Sequence, residues 1–345
     1  MSTDTAAVRP GEELPRAPLA AWLAGRIPGV ETLVIEQFPG GHSNLTYLLR
    51  TPAGEWVLRR PPLGPVAPRA HDMIREARVL QAVHPLFLPA PQVVAVCDDL
   101  EVIGAPFFVM ERRHGVVVRH GLPPVYAGLP DAPARISRTL IDGLAQLHTI
   151  DVAATGLVAL GRPEAFLDRQ VAGWSDRWHR ARPESLEGIE RVLAWLRAEQ
   201  PSPQATTIVH NDYKLDNVML DGADPDRLAA VLDWEMTTVG DPLADLGLTL
   251  TYWCLAEARQ VAGMDPMDGW WDRERMVARY AERTGFDVGA LPWYEVLGIF
   301  KLAVIVQQIY ARYLAGQTRD PRFRTMGRMV AALAASAVAR IEDEQ

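Results

Sequence analysis

Thiols, lysines and positive charge are scarce in this sequence, and each scarcity removes a class of function. The two cysteines, Cys97 and Cys254, cannot form a disulfide framework or a zinc site at that separation; both are expected to be reduced core residues. The formal net charge is −8, opposite to the basic face of a nucleic-acid binder, although local charge at a site can oppose the net charge and leaves an anionic substrate open. No run of about 18 apolar residues is present, so no membrane-spanning helix is expected. The opening MSTDTAAVRPGEELPRAP lacks the apolar stretch of a secretory signal. A cytoplasmic protein without nucleic-acid or membrane partners is the expectation; the oligomeric state stays open. The only lysines are Lys214 and Lys301, which gives their positions weight below.

What the sequence does have is enough apolar material, 48% of residues, for one large domain or two coupled lobes. Residues 1–17 read as a loose polar arm, with a short helix over Leu19–Ala24. Thr32–Gln37, Leu45–Arg50, Trp56–Arg60, Gln92–Cys97 and Pro106–Glu111 are rich in β-formers and read as strands. His71–Val83 has helical periodicity. Beyond about residue 115 the pattern turns helical: Pro133–Ile150, Phe166–Arg180, Leu186–Glu199 and most of the chain from Pro242 on. Short β-runs interrupt at Ile208–Val209, Val218–Leu220 and Leu228–Leu232. The expected fold class is therefore α+β and bilobal, with an N-lobe sheet over 18–111 and a helical C-lobe over 112–345.

The strongest motif is His210-Asn211-Asp212-Tyr213-Lys214-Leu215-Asp216-Asn217. Its spacing is that of the kinase catalytic loop, H-x-D-x-x-x-x-N. Phosphoryl transfer needs a carboxylate beside the attacking hydroxyl, which Asp212 can supply, and an oxygen ligand for magnesium, which Asn217 can supply. Lys214 is placed to reach the γ-phosphate. One of two lysines in the chain falling inside this motif argues against coincidence. Downstream, the apolar run Val231-Leu232 ends in Asp233, a second hard-oxygen donor for magnesium in the place of the kinase D-F-G aspartate. The glycine turn Gly40-Gly41-His42-Ser43-Asn44 lies between two strands. Glycines there let backbone N–H groups approach phosphates, though such turns also join plain hairpins.

These motifs and the lobe order resemble the aminoglycoside phosphotransferase-like family of the protein-kinase-like fold. Gly240-Asp241-Pro242-Leu243-Ala244-Asp245-Leu246 is similar to that family's G-D-P-x-x-D-L. The resemblance implies that Asp245 braces the catalytic loop, that ATP and Mg2+ are the cofactors, and that Gly40, Gly41, His42, Ser43 and Asn44 cover the phosphates. It also implies that backbone groups near Glu111 and Arg113 meet adenine. More narrowly, Gly40–Tyr47, Val57-Leu58-Arg59-Arg60-Pro61-Pro62, Arg169-Gln170-Val171 with Trp174, and Asp233-Trp234-Glu235 resemble kinase-like domains fused to, or encoded beside, certain acyl-CoA dehydrogenases. That implies a hydroxyacyl thioester or hydroxy acid as acceptor, and a functional link to an acyl-CoA dehydrogenase.

Two departures stand out. Kinases place lysine on the third strand; this chain has Arg59 and Arg60, sent to opposite faces by strand alternation, and arginine is not interchangeable with lysine. The resemblance favours Arg59 as the inward residue, with Glu76 as its partner; an exposed pairing of Glu76 with neighbouring arginines is the alternative. Asn211 replaces the narrower family's usual glycine. Arg169, Arg177 and Arg180 offer charge to an anionic substrate, or simply line a solvated helix face. Because Gly240-Asp241-Pro242 follows Asp233 closely, little chain is left to dock a peptide, which favours a small-molecule hydroxyl substrate. A catalytically silent nucleotide-binding regulator is the competing reading. An acyl-CoA dehydrogenase fits poorly, since nothing suggests a flavin site.

Overall fold

The computed structural model describes residues 4–39, 44–64, 71–181, 186–318 and 320–344. The chain forms two compact units, the first built from residues up to Gly115 plus Ala229–Thr237, the second from Val116–Leu228 plus Thr238 onward. The expected boundary after Glu111 therefore shifts to Gly115. The segment Ala229–Thr237, expected in the second lobe, belongs to the first.

In the first unit, β1 (Val34–Gln37), β2 (Leu45–Thr51), β3 (Gly54–Arg60), β4 (Val93–Cys97) and β5 (Phe107–Glu111) form an antiparallel sheet in the order β1-β2-β3-β5-β4. Alternation puts Tyr47, Leu49, Leu58, Phe107 and Val109 into one core with Leu19 and Leu23 of helix α1 (Arg16–Leu23). Helix α2 (Met73–Val83) starts at Asp72, whose side chain accepts the Arg75 N–H at 2.9 Å. It buries Met73, Glu76, Ala77, Leu80 and Val83 at helical spacing. The short helix α3 (Leu100–Ile103) links β4 to β5.

Contrary to the expectation of a loose arm, residues from Asp4 onward are tied down. Ala6 pairs with Gln37, the Arg9 N–H donates to Gln37 Oε1 at 2.9 Å, and the Tyr47 hydroxyl donates to the Glu12 carbonyl at 2.7 Å. The polar composition concealed this because the partners lie on the edge strand β1 and its neighbour, and covering an exposed edge satisfies backbone groups on both sides.

The second unit carries α4 (Ala132–His148), α5 (Phe166–Ala181), α6 (Glu187–Ala198), α7 (Leu243–Cys254), α8 (Ala256–Ala262), α9 (Arg273–Thr284), α10 (Leu291–Leu314) and α11 (Met326–Glu342). Short antiparallel pairs join β6 (Val116–Val117) to β8 (Val218–Leu220) and β7 (Thr207–Val209) to β10 (Thr238–Gly240); β9 (Leu228–Val231) leads out of the unit. α10 is long and apolar enough to cross a membrane, yet 72% of its most apolar window is buried, as expected of a core helix. α7 and α10 approach closely: a Cβ on Gly247 would stand 2.5 Å from the Tyr294 carbonyl oxygen, and one on Gly298 2.6 Å from Thr251 Oγ1. Of the two cysteines, Cys97 is buried as expected, but Cys254, at the end of α7, is exposed.

Candidate active site

The loop between β7 and β8 is shaped by one buried carboxylate. Asp245, in the first turn of α7, accepts the main-chain N–H of His210 at 2.5 Å and of Asn211 at 2.6 Å, and lies 3.3 Å from His148 Nε2. Burial raises its pKa, but the hydrogen bond and charge of His148 together with His210 outweigh that and hold the carboxyl below its ordinary range. The bracing that the family resemblance implied is therefore present as two hydrogen bonds. Asn211 sits in the left-handed region at φ 66°. This accounts for the departure from glycine, because asparagine is among the few other residues that occupy this region readily.

On the loop held in this way, Lys214 Nζ reaches both carboxylate oxygens of Asp212 at 2.7 Å. Burial opposes the lysine charge, but Asp212 dominates and raises its pKa above the ordinary value. Asn217 Nδ2 donates to the Asp212 carbonyl at 2.9 Å and to Asp212 Oδ2 at 2.7 Å. A carboxylate only accepts, so the amide nitrogen must face it, and the Asn217 carbonyl oxygen is left for another partner. That oxygen suits a hard cation such as Mg2+. Tyr213 and Asp216 take structural roles: the Tyr213 hydroxyl donates to the Leu140 carbonyl, and Asp216 pairs with Arg119.

In the first unit, Arg59 on β3 points to α2 and to the segment after β9. Its Nη1 donates to Glu76 Oε1 at 2.7 Å and its Nη2 to Asp233 Oδ1 at 3.3 Å. Arg60 instead binds the Ile103 carbonyl, so Arg59 is the strand-three residue that meets Glu76. Glu76 is 1% exposed, which rules out the solvated-face alternative. Burial drives its carboxyl up to about 7, with Arg59 pulling the other way. Arg59 Nε and Glu76 Oε2 are buried and lack hydrogen-bond partners among the described residues. An orphaned guanidinium donor beside an acidic segment fits a phosphate oxygen as its missing acceptor. Asp233, at φ 65°, keeps a carboxylate that is one-third exposed.

Asn44, expected against phosphates, spends its side chain inside this unit: Nδ2 donates to Glu235 Oε2 at 2.9 Å, and Oδ1 lies 2.8 Å from His71 Nδ1. Gly40, Gly41, His42 and Ser43 fall outside the described residues. The Glu111 main-chain N–H is already given to the Gln92 carbonyl at 2.9 Å, so that donor is not available to a base. The Arg113 side chain binds the Leu88 carbonyl and pairs with Glu111. Sequence reasoning missed Arg75, which donates to the carbonyls of Glu235 and Thr237 and so fixes the segment bearing Asp233. It also missed His148. Their partners lie far away in sequence, and no local spacing signals them.

A model of the APH phosphotransferase enzyme family matches residues 34–285. The chain belongs to that family. It is a phosphotransferase of the small-molecule kinase class, with a hydroxyl group as acceptor. It is 31% identical over 340 residues to acyl-CoA dehydrogenase family member 10 of Mus musculus, covering 96% of this chain and 31% of that protein. The chain spans less than half the length of the acyl-CoA dehydrogenase family relatives it matches. A solved structure from Ralstonia eutropha assigned to the aminoglycoside phosphotransferases superposes with a TM-score of 0.80 at 29% identity, over 96% of this chain and 99% of that one. Aminoglycoside phosphotransferase APH(4)-Ia, solved with AMP-PNP and hygromycin B, shares the fold at a TM-score of 0.60 and 15% identity, over 94% and 99% of the two chains.

Proposed function

We propose that this phosphotransferase moves the γ-phosphate of ATP, with magnesium, to the hydroxyl of a hydroxy acid or its acyl thioester. The observation that carries the reading is the Asp212 carboxylate, gripped by Lys214 and Asn217 on a loop whose main chain is pinned by Asp245. A fixed carboxylate can orient an acceptor hydroxyl and take its proton as the bond to phosphorus forms. Lys214, already charged at neutral pH, would pass from Asp212 toward the transferring phosphoryl group as negative charge shifts onto it. Arg59, set by Glu76, offers its orphaned Nε to a nucleotide phosphate. The Asn217 carbonyl oxygen and the Asp233 carboxylate are the proposed oxygen donors for magnesium, which when bound neutralises phosphate charge. Most of the rate gain would come from positioning and electrostatics.

Use of a nucleotide is supported by the AMP-PNP and GDP complexes of fold relatives, and ATP is the donor proposed. The acyl acceptor is supported by the resemblance to acyl-CoA dehydrogenase family members, and it would link the chain functionally to such a dehydrogenase. The test is magnesium-dependent ATP consumption against hydroxyacyl-CoAs, free hydroxy acids, homoserine, choline and aminoglycosides. One acceptor class should be turned over, and Asp212→Asn should lower kcat by about 100- to 10,000-fold while leaving nucleotide binding intact. Turnover undiminished in that variant would remove Asp212 from the chemistry. Nucleotide binding without turnover of any acceptor would favour a silent regulator.

A further inference from the structure

The second lysine of the chain is buried in the middle of α10. Lys301 is 2% exposed, and among the described residues its ammonium makes one hydrogen bond, a long one of 3.3 Å to Asn211 Oδ1, the residue that precedes Asp212. Among the described residues no carboxylate lies within ion-pair distance, though the charges of Asp245 and Asp212 are felt there. The ammonium also sits 5.5 Å from the centre of the Trp174 ring, and the Arg177 guanidinium stacks on that ring at 4.4 Å. Arg169 is occupied by the Glu164 and Arg162 carbonyls and Arg180 by the Asp176 carbonyl. Arg177 has no hydrogen-bonding or carboxylate partner among the described residues; its guanidinium rests on the Trp174 indole, with Arg180 as a like-charged neighbour.

Two cations thus share one indole, the lysine beside the catalytic loop, and among the described residues neither has a counter-ion. A buried ammonium without a matched anion is costly, and an indole stabilises a cation without satisfying its N–H donors. Arginine and lysine together suit an oxyanion, one through a planar fork and the other through a compact charge. A groove opens one side chain away from that indole. Trp174 Nε1 donates to Gln170 Oε1 at 3.3 Å, and Gln170 lines a groove of about 370 Å³ with Gly161, Arg162, Arg169 and Thr238.

We propose that Lys301 and Arg177, set against Trp174, form an anion subsite that binds an acidic oxygen group of the phosphoryl acceptor and holds its hydroxyl toward Asp212. This rests on the kinase reading above and narrows it: the acceptor carries a carboxylate or a phosphate in addition to its hydroxyl.

The test is calorimetric binding of 3-hydroxybutyrate and its neutral amide, and of the hydroxybutyryl thioesters of CoA and of phosphate-free pantetheine, to the wild-type protein, Lys301→Met and Arg177→Gln. Phosphoryl transfer is measured separately on the same samples. One charge-assisted contact should make the anion bind at least about tenfold tighter than its neutral counterpart. Lys301→Met should abolish that preference and Arg177→Gln should reduce it. A preference for the free acid over its amide identifies a carboxylate; a preference for the CoA over the pantetheine thioester identifies the CoA phosphates. The exposed Arg177 keeps the test decisive even if the buried substitution perturbs folding. Equal binding of charged and neutral members, absence of binding by both, or a preference surviving in both variants overturns the subsite. Phosphoryl transfer without anion preference would overturn the subsite and keep the kinase; anion preference without transfer would do the reverse.

Discussion

Burial lowers the Lys301 pKa to about 8 from 10.5, with Asp245 and Asp212 partly opposing the shift. Between about pH 8 and 10.5 the unfolded chain holds a proton that the folded chain releases, so folding gains stability as pH rises through that window. Below it the cost is present in full, and at about 1.4 kcal/mol per decade it amounts to roughly 3 kcal/mol at most. Lys301→Met keeps the length of the side chain and removes the charge. It should therefore be more stable than wild type at pH 7, by about 1–3 kcal/mol, and the gap should close toward pH 10.5. Urea melts of both proteins at pH 7 and pH 10 check this. A variant less stable than wild type at pH 7 would mean that the ammonium is matched within the fold. Asp212, Lys214 and Asn217 were legible in the sequence because their contacts with each other span at most five positions. Lys301 was not, because its partner lies 90 positions away and nothing in the periodicity of an apolar helix marks one lysine as facing a catalytic loop.

At the scale of elements, the loop depends on how α7 meets α10. Asp245 can reach the His210 and Asn211 amides only while α7 stays close to its neighbours, and Gly247, two residues on, lies where α7 presses against α10. A methyl there meets the Tyr294 carbonyl oxygen at 2.5 Å, a main-chain atom that cannot turn aside. Gly247→Ala should cost about 1–3 kcal/mol of stability by overpacking. It should also lower kcat more than the nucleotide Kd, because the displaced helix carries the brace of the catalytic loop. An unchanged denaturation midpoint would show that α10 can move away freely. The N-lobe strands and the helices α2, α4, α5 and α6 were readable to within a few residues, since alternation and helical spacing are local properties; the short α3, β6 and β10 were not. The tied-down arm was not, since it depends on hydrogen bonds offered by Gln37 and Tyr47. Nor did the sequence indicate that Asn44 would be consumed by Glu235 and His71.

For the molecule as a whole, the informative feature is a chain that leaves the second unit at Leu228, gives Ala229–Thr237 to the first, and returns. Contacts within the first unit hold that segment, beyond the Arg59–Asp233 and Asn44–Glu235 bonds. The Val231 N–H donates to the Pro89 carbonyl at 2.9 Å, Arg75 holds the carbonyls of Glu235 and Thr237, and Trp234, 1% exposed, packs edge-on against Phe87 at 6.1 Å between ring centres. The first unit is thus discontinuous in sequence, and cutting at Gly115 removes a structural part of it. A fragment ending at Gly115 would leave Arg59 without Asp233, Asn44 without Glu235 and Phe87 without Trp234. Such a fragment should show weaker near-ultraviolet dichroism and fewer protected amides than the same fragment rejoined to Ala229–Thr237 through a flexible linker. In the intact chain, Trp234→Ala should cost about 3–5 kcal/mol and weaken nucleotide binding, because the residue beside it is Asp233. If the fragment ending at Gly115 proved as ordered as the rejoined one, the returning segment would be a passenger on the first unit, and its contacts there could not be what sets the position of Asp233.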